Sequence, residues 1–400
     1  MITKQNNCIE LNSLIKYPQN FNTFFTLYIS IPYWDKIYYT FPSQNNCKPN
    51  VMKHVFYCVL LLLFISCNNT KNVEPKIIDN QANNYLDYSN SPDQFTGGIN
   101  MIPIKTKIGT FNVYTKRVGN NPKMRVLLLH GGPGGTHEEF DCFDGFLPNA
   151  GIEYIYYDQL DSYYSDKPND STLWTTEHFV EEVEQVRKAL GLNQDNFYLL
   201  GQSWGGILAM EYALKYQDNL KGLIISNMMS SAPAYSKYAA EVLGPQMPSE
   251  VLQEVLEFEA NEDYGNPRYS ELLMNHYYTE HTLRMPIEKW PKSVNLLFEH
   301  LNHDIYLYMQ GPSEFGMAGN ATLKSWDISD RLKTINTPTL VIGATHDTMD
   351  PEHMEWMANE FPNGRFLLCP NGSHLAQYDD QKNYFNGLIN FVKDVNNGSF

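Results

Sequence analysis

A chain of 400 residues exceeds what one modest core holds, which implies one large domain carrying an insertion, or two domains. Hydrophobic residues make up 42% and aromatic residues 14%, a globular composition with ample material for a large core. The formal charge of -16 argues against a nucleic-acid partner, because phosphate binding needs concentrated Lys and Arg, and it favours a cationic ligand group over an anionic one.

Residues 1–51 are rich in Asn, Tyr and Phe without a sustained helical or strand period, and read as an upstream extension ahead of a start at Met52. Met52-Lys53-His54 is a short basic opening to the apolar run Val55 to Ile65, which is short for a membrane span and suits a signal-peptide core. The run closes on Phe64-Ile65-Ser66-Cys67, which resembles the lipobox of bacterial lipoproteins, with Phe64 larger than the usual aliphatic residue. That resemblance implies a signal peptide over 52–67, lipidation at Cys67 and residence at the cell envelope, held to the membrane by the lipid; the alternatives are an uncleaved anchor and a cytoplasmic protein. Residues 68–96 read as a polar tether.

From residue 97 short apolar runs alternate with amphipathic segments, the signature of an α/β protein with a mostly parallel sheet flanked by helices. Segment 106–117 reads as an edge hairpin strand. Buried strands are expected at Arg125–Leu129, Ile152–Tyr157, Phe197–Leu200, Leu223–Ser226, Thr339–Ile342 and Arg365–Leu368. Helices are expected at Thr176–Leu190, where Phe179, Val183, Val186 and Leu190 share a face, and at Gly206–Tyr216. Residues 233–325 break the alternation with helix-like stretches at 249–260, 269–279 and 293–309. They read as a helical cap inserted between a first core segment, 97–232, and a second, 326–400. Of six cysteines only Cys142 and Cys369 fall in this region, and no zinc-like spacing occurs. Two buried thiols are the expectation, and a single bridge is the alternative.

Gly201-Gln202-Ser203-Trp204-Gly205 is GxSxG between an expected strand and an expected helix, the context of a nucleophile elbow. Only small residues two before and two after the serine avoid collision in so sharp a turn. A serine hydroxyl needs a histidine to take its proton and a carboxylate to orient that histidine, and on this fold they follow in the order Ser, Asp or Glu, His. His374 alone follows a late strand through a loop, whereas His276, His281, His300 and His303 belong to the cap and His353 to a helix. Asp347 stands in the loop after the preceding strand; Asp350, beside Pro351, reads as the cap of the next helix. The glycines of His130-Gly131-Gly132-Pro133-Gly134 let backbone N–H groups approach a substrate carbonyl, so the expected oxyanion hole is Gly132 with the N–H of Trp204.

HGGPG at 130–134, Tyr157-Asp158-Gln159 and Gly201-Gln202-Ser203-Trp204-Gly205-Gly206 together resemble the proline iminopeptidase (prolyl aminopeptidase) branch of the α/β-hydrolases. Gly311-Pro312-Ser313-Glu314-Phe315 and Gly372-Ser373-His374 continue the resemblance. It implies a core with a helical cap, no metal or cofactor, and release of an N-terminal residue, often proline, from short peptides with a free N-terminus. It implies Ser203, Asp347 and His374 as the triad and Glu314 as a partner of the substrate's α-ammonium. Two positions depart from the family pattern: Thr348 stands where a glutamate usually follows the aspartate, and Asp161 stands where glycine is usual. Thr348 keeps open an esterase, lactonase or amide hydrolase on the same scaffold.

Overall fold

The computed structural model describes Phe25–Ile29, Ile37–Phe41 and residues 98–400, and the chain divides into two units, 1–77 and 78–400. In the first, β1 (Phe25–Ile29) pairs antiparallel with β2 (Ile37–Phe41). Cys67 and the segments expected as a signal peptide and a tether lie outside the described residues.

The second unit is built on eight strands: β3 (Ile99–Thr106), β4 (Gly109–Val118), β5 (Arg125–Leu129), β6 (Glu153–Tyr157), β7 (Phe197–Gln202), β8 (Gly222–Ser226), β9 (Thr339–Ala344) and β10 (Gly364–Cys369). Their order is β10-β9-β8-β7-β5-β6-β4-β3, parallel from β10 to β6 and antiparallel at β4 and β3. The central strands are apolar without interruption because both faces of the sheet are covered. Val126, Leu128, Tyr198, Leu200 and Ile224 join one apolar cluster, while their neighbours Leu127, Leu129, Leu199, Leu223 and Ile225 join another. The second cluster is closed by α1 (Thr176–Ala189) through Phe179, Val183 and Val186, and by α2 (Trp204–Tyr216) through Ile207 and Leu208.

The hairpin strand expected at 106–117 is β4, which pairs with β3; β3 itself was not read from the sequence, because only Ile102 and Ile104 are buried along it.

Between β8 and β9 the chain is helical: α3 (Ala232–Tyr238), α4 (Ser249–Ala260), α5 (Pro267–Leu273), α6 (Lys292–His300) and α7 (His303–Met309). Leu243, Val255, Leu272, Tyr277 and Phe315 form an apolar centre of their own here. The helix expected over 269–279 starts at Pro267 and widens at Met274 into a π-helical stretch ending at Thr282. The stretch expected as one helix over 293–309 is broken at Leu301-Asn302. Asn302 caps α7 by accepting the Asp304 N–H (3.2 Å), donates its backbone N–H to Gly134 O (2.9 Å) and donates Nδ2 to Asp161 O (2.9 Å). The break is thus a tertiary contact, invisible to periodicity. α8 (Pro351–Glu360) and α9 (Gln381–Asn397) follow, and α9 closes the first cluster with Tyr384, Phe385, Leu388 and Phe391. Cys142 and Cys369 are both free thiols.

Candidate active site

Ser203 sits between the last residue of β7 and the first of α2, with φ 54° and ψ −123°, a strained backbone for a side-chain-bearing residue. A Cβ on Gly201 would collide with the Gly205 carbonyl, and one on Gly205 with the Leu129 carbonyl, which is why both flanks are glycine. The turn is held by Ser203 N–H to Ser226 O (3.0 Å) and Gly206 N–H to Ser203 O (2.7 Å).

The loops after β9 and β10 bring Asp347 and His374 together. His374 Nδ1 lies 2.7 Å from Asp347 Oδ1. A carboxylate only accepts, so Nδ1 carries a proton in either form of the ring, and in the neutral imidazole the Nε2 lone pair is free. Nε2 is buried and has no partner among the described residues, and His374 and Ser203 line the same cavity. Asp347 is itself held by the Met349 N–H at Oδ1 (3.1 Å) and by Asn227 Nδ2 at Oδ2 (2.6 Å). Burial alone would lower the His374 pKa, but the charge and hydrogen bond of Asp347, with Glu314 and Glu139, hold it up at about 9. Asp350 caps α8 by accepting the Glu352 N–H (3.0 Å).

Gly132 has φ 108°, and a Cβ there would press to 2.6 Å from the Gly135 nitrogen. The N–H groups of Gly132 and Trp204 donate to no acceptor among the described residues, whereas that of Gly131 is taken by Glu139 Oε2 at 2.7 Å. His130 is buried and held neutral, its pKa lowered by desolvation. Its Nε2 accepts from Gln159 N (3.1 Å), so Nδ1 donates to Gly131 O (2.9 Å). Gln159 Oε1 in turn accepts from Trp204 Nε1 (2.9 Å). Three separate sequence motifs are tied by these bonds into one scaffold.

The cavity measures about 380 Å³ and includes Glu314 in its wall. Glu314 Oε1 accepts from Tyr306 OH (2.5 Å), and its backbone accepts from Tyr235 OH (2.6 Å). Burial, then the Glu314 charge, push the Tyr235, Tyr277 and Tyr306 hydroxyls well up, so they stay protonated donors. The second oxygen, Oε2, is out of water and has no partner. Thr348 is buried behind the histidine, its hydroxyl 3.0 Å from His374 Nδ1, and it does not line the cavity. Asp161 occupies left-handed backbone (φ 68°) and compensates for it by accepting from Trp174 Nε1 (2.8 Å) and Asn169 N (2.8 Å).

A family model described as alpha/beta hydrolase fold matches residues 125–381. The proline iminopeptidase of Flavobacterium johnsoniae is 58% identical over 296 residues, covering 74% of this chain and 98% of the relative. That of Elizabethkingia meningoseptica is 58% identical over 300 residues, covering 75% and 100%. The chain belongs to the proline iminopeptidase family of α/β-hydrolases. The solved proline iminopeptidase of Mycobacterium smegmatis superposes with a TM-score of 0.66 at 26% identity, covering 76% of this chain and 100% of that one.

Within this proline iminopeptidase scaffold the structure brings together Ser203, Asp347, His374, Gly132, Trp204 and Glu314. Sequence reasoning missed Asn227, which holds Asp347, and Glu139, a buried carboxylate in the same cavity. The only signal for Glu139 was its place eight residues after Gly131, in the stretch leading out of the HGGPG loop.

Proposed function

We propose that this protein is a serine aminopeptidase that releases an N-terminal proline, or another small first residue, from short peptides. One observation carries the reading: a carboxylate oxygen, Glu314 Oε2, is buried without a partner in the wall of the cavity that holds Ser203 and His374. An orphaned carboxylate costs several kcal/mol of lost solvation unless a ligand cation meets it, at about 3–5 kcal/mol for a broken buried pair. A peptide's α-ammonium is such a cation, and it lies two bonds from the carbonyl to be attacked.

In the proposed cycle His374 Nε2 takes the Ser203 hydroxyl proton as Oγ bonds to the carbonyl carbon. The oxygen, now negative, accepts from the Gly132 and Trp204 N–H groups, an interaction on the order of 10²–10³ in rate. His374 then gives its proton to the leaving amine nitrogen and the C–N bond breaks, leaving the aminoacyl ester on Ser203. Water, deprotonated by Nε2, attacks that ester; Oγ leaves and recovers the proton, freeing the amino acid.

Turnover of a prolyl arylamide is the test. Ser203→Ala should lower kcat by about 10⁶-fold, and intact activity would refute the serine mechanism. Glu314→Gln should raise KM for free-amine substrates by about tenfold or more and leave KM for N-blocked esters nearly unchanged. A panel on which aryl esters and lactones far outpace every aminoacyl arylamide would replace the peptidase reading by the esterase one.

A lipid anchor at Cys67 and an envelope location belong to the same proposal, supported by the Ser66-Cys67 context after the apolar run. Intact mass of the native protein tests them: a lipidated chain beginning at Cys67 is expected, and an unlipidated chain retaining residue 1 overturns both.

A further inference from the structure

The cavity holds a second carboxylate that the mechanism above does not use. Glu139 is 3% exposed, and it lines the cavity beside Ser203, His374 and Glu314. Its Oε2 accepts the Gly131 N–H at 2.7 Å, a single neutral donor. No lysine or arginine lines the cavity, and neither Glu139 nor Glu314 has an ion pair with one among the described residues. Two acids, Glu139 buried and Glu314 half-buried with Oε2 out of water, therefore face one cavity with no fixed cation but the imidazolium of His374 to balance them. Such an arrangement is costly to build and is compensated when a cationic ligand enters.

The geometry fits an amine beside the scissile carbonyl. A side chain beginning on Gly131 would start 3.1 Å from Ser203 Cβ and 3.2 Å from Glu139 Oε1, so the carboxylate and the nucleophile flank one small space. In a peptide the α-nitrogen sits about 2.5 Å from the carbonyl carbon that Ser203 attacks. An ammonium there is within hydrogen-bond reach of a carboxylate placed as Glu139 is. A protonated N-terminal proline has two N–H donors, and the cavity offers two acids.

We propose that Glu139 is a second anchor for the substrate's α-ammonium, sharing it with Glu314 so that each carboxylate accepts one N–H. This rests on the aminopeptidase reading and deepens it. Thr348, where the family resemblance implies an acid, has its hydroxyl 3.0 Å from His374 Nδ1 and does not line the cavity, so it contributes nothing to amine recognition there. Burial, with the Glu314 charge, pushes the Glu139 carboxyl up to about 8, against the pull of the Gly131 N–H and of His374. An arriving ammonium adds a third stabiliser of the charged form, so amine binding and ionisation of Glu139 go together.

The experiment compares a prolyl 4-nitroanilide with 4-nitrophenyl cyclopentanecarboxylate, whose ring has the shape of proline without the nitrogen. Glu139→Gln keeps an oxygen for the Gly131 N–H and removes the charge. The expected result is a 10- to 100-fold rise in KM for the prolyl substrate, about the worth of a charge-assisted hydrogen bond, with ester kcat/KM within about threefold of wild type. Ester turnover also shows that the variant is folded. A parallel loss on both substrates would make Glu139 a prop for the HGGPG loop and overturn the proposal, as would no change on either. A second measurement needs no variant. In the wild type, KM for the prolyl substrate should fall as pH rises from about 6 to 7.5, while the substrate amine is still protonated. A flat KM over that range overturns the proposal. Failure of the aminopeptidase reading would show separately, as a wild-type enzyme that turns over the ester and no free-amine arylamide.

Discussion

His374 carries the pH dependence of this site. Its imidazole is buried, yet Asp347, Glu314 and Glu139 raise it to about 9. The group must be neutral to act as base, so with a neutral ester kcat/KM should climb with pH and level off near about 9. Glu314→Gln removes a negative charge that favours the imidazolium; its acid limb should therefore move to lower pH in a profile from about pH 6 to 10. An unchanged or upward-shifted limb would mean that Glu314 does not face the triad electrostatically. The raised His374 value stabilises the fold fully below about 6.5, and that stabilisation is lost as pH rises through about 9. Asn227, buried at φ 52°, donates to Asp347 Oδ2. Asn227→Ala should lower kcat about tenfold or more with little change in KM, since the lost bond serves a buried charge and touches no substrate. The triad was legible from the sequence because GxSxG and the two late strand ends fix its members by topology. Asn227 and Glu139 were not, because a polar residue after β8 and one acid of a Glu-Glu pair look like any surface groups until the fold buries them.

At the level of elements, two positions test why these turns take the shapes they do. Asp161 replaces the glycine that left-handed backbone favours and gains two hydrogen bonds in exchange. Asp161→Gly should cost about 2 kcal/mol net, two charge-assisted bonds lost against about 1 kcal/mol of backbone relief, read as a fall in Tm or in the denaturant midpoint. Gly134 has φ 80°, and a Cβ there would strike the Ile305 side chain and come within 2.9 Å of the Asn302 carbonyl. The strands were read within about two residues because buried parallel strands are continuous apolar runs. The helical insertion was read less well. Its α6–α7 break at Asn302 answers to contacts with residues more than a hundred positions away, Gly134 and Asp161, which no local pattern encodes.

On the scale of the molecule, every residue given a role in peptide cleavage above lies within 98–400, and removal of residues 1–77 should leave kcat/KM unchanged within about twofold if the second unit folds alone. The insertion meets the core along two seams. On one, Asn302 binds Gly134 and Asp161, and His300 Nδ1 pairs with Glu138 at 2.7 Å. On the other, His374 N–H and Leu375 N–H donate to the carbonyls of His281 and Thr282, both at 2.9 Å. Fastened on both sides of the nucleophile, the insertion behaves as a fixed vestibule and not as a swinging door. Passage of peptide and product then falls to side chains of its wall, such as Leu297, Phe298 and Leu307, whose rotamers exchange in picoseconds to nanoseconds. A vestibule with fixed walls measures the length and girth of what it admits, which limits the peptides that reach Ser203.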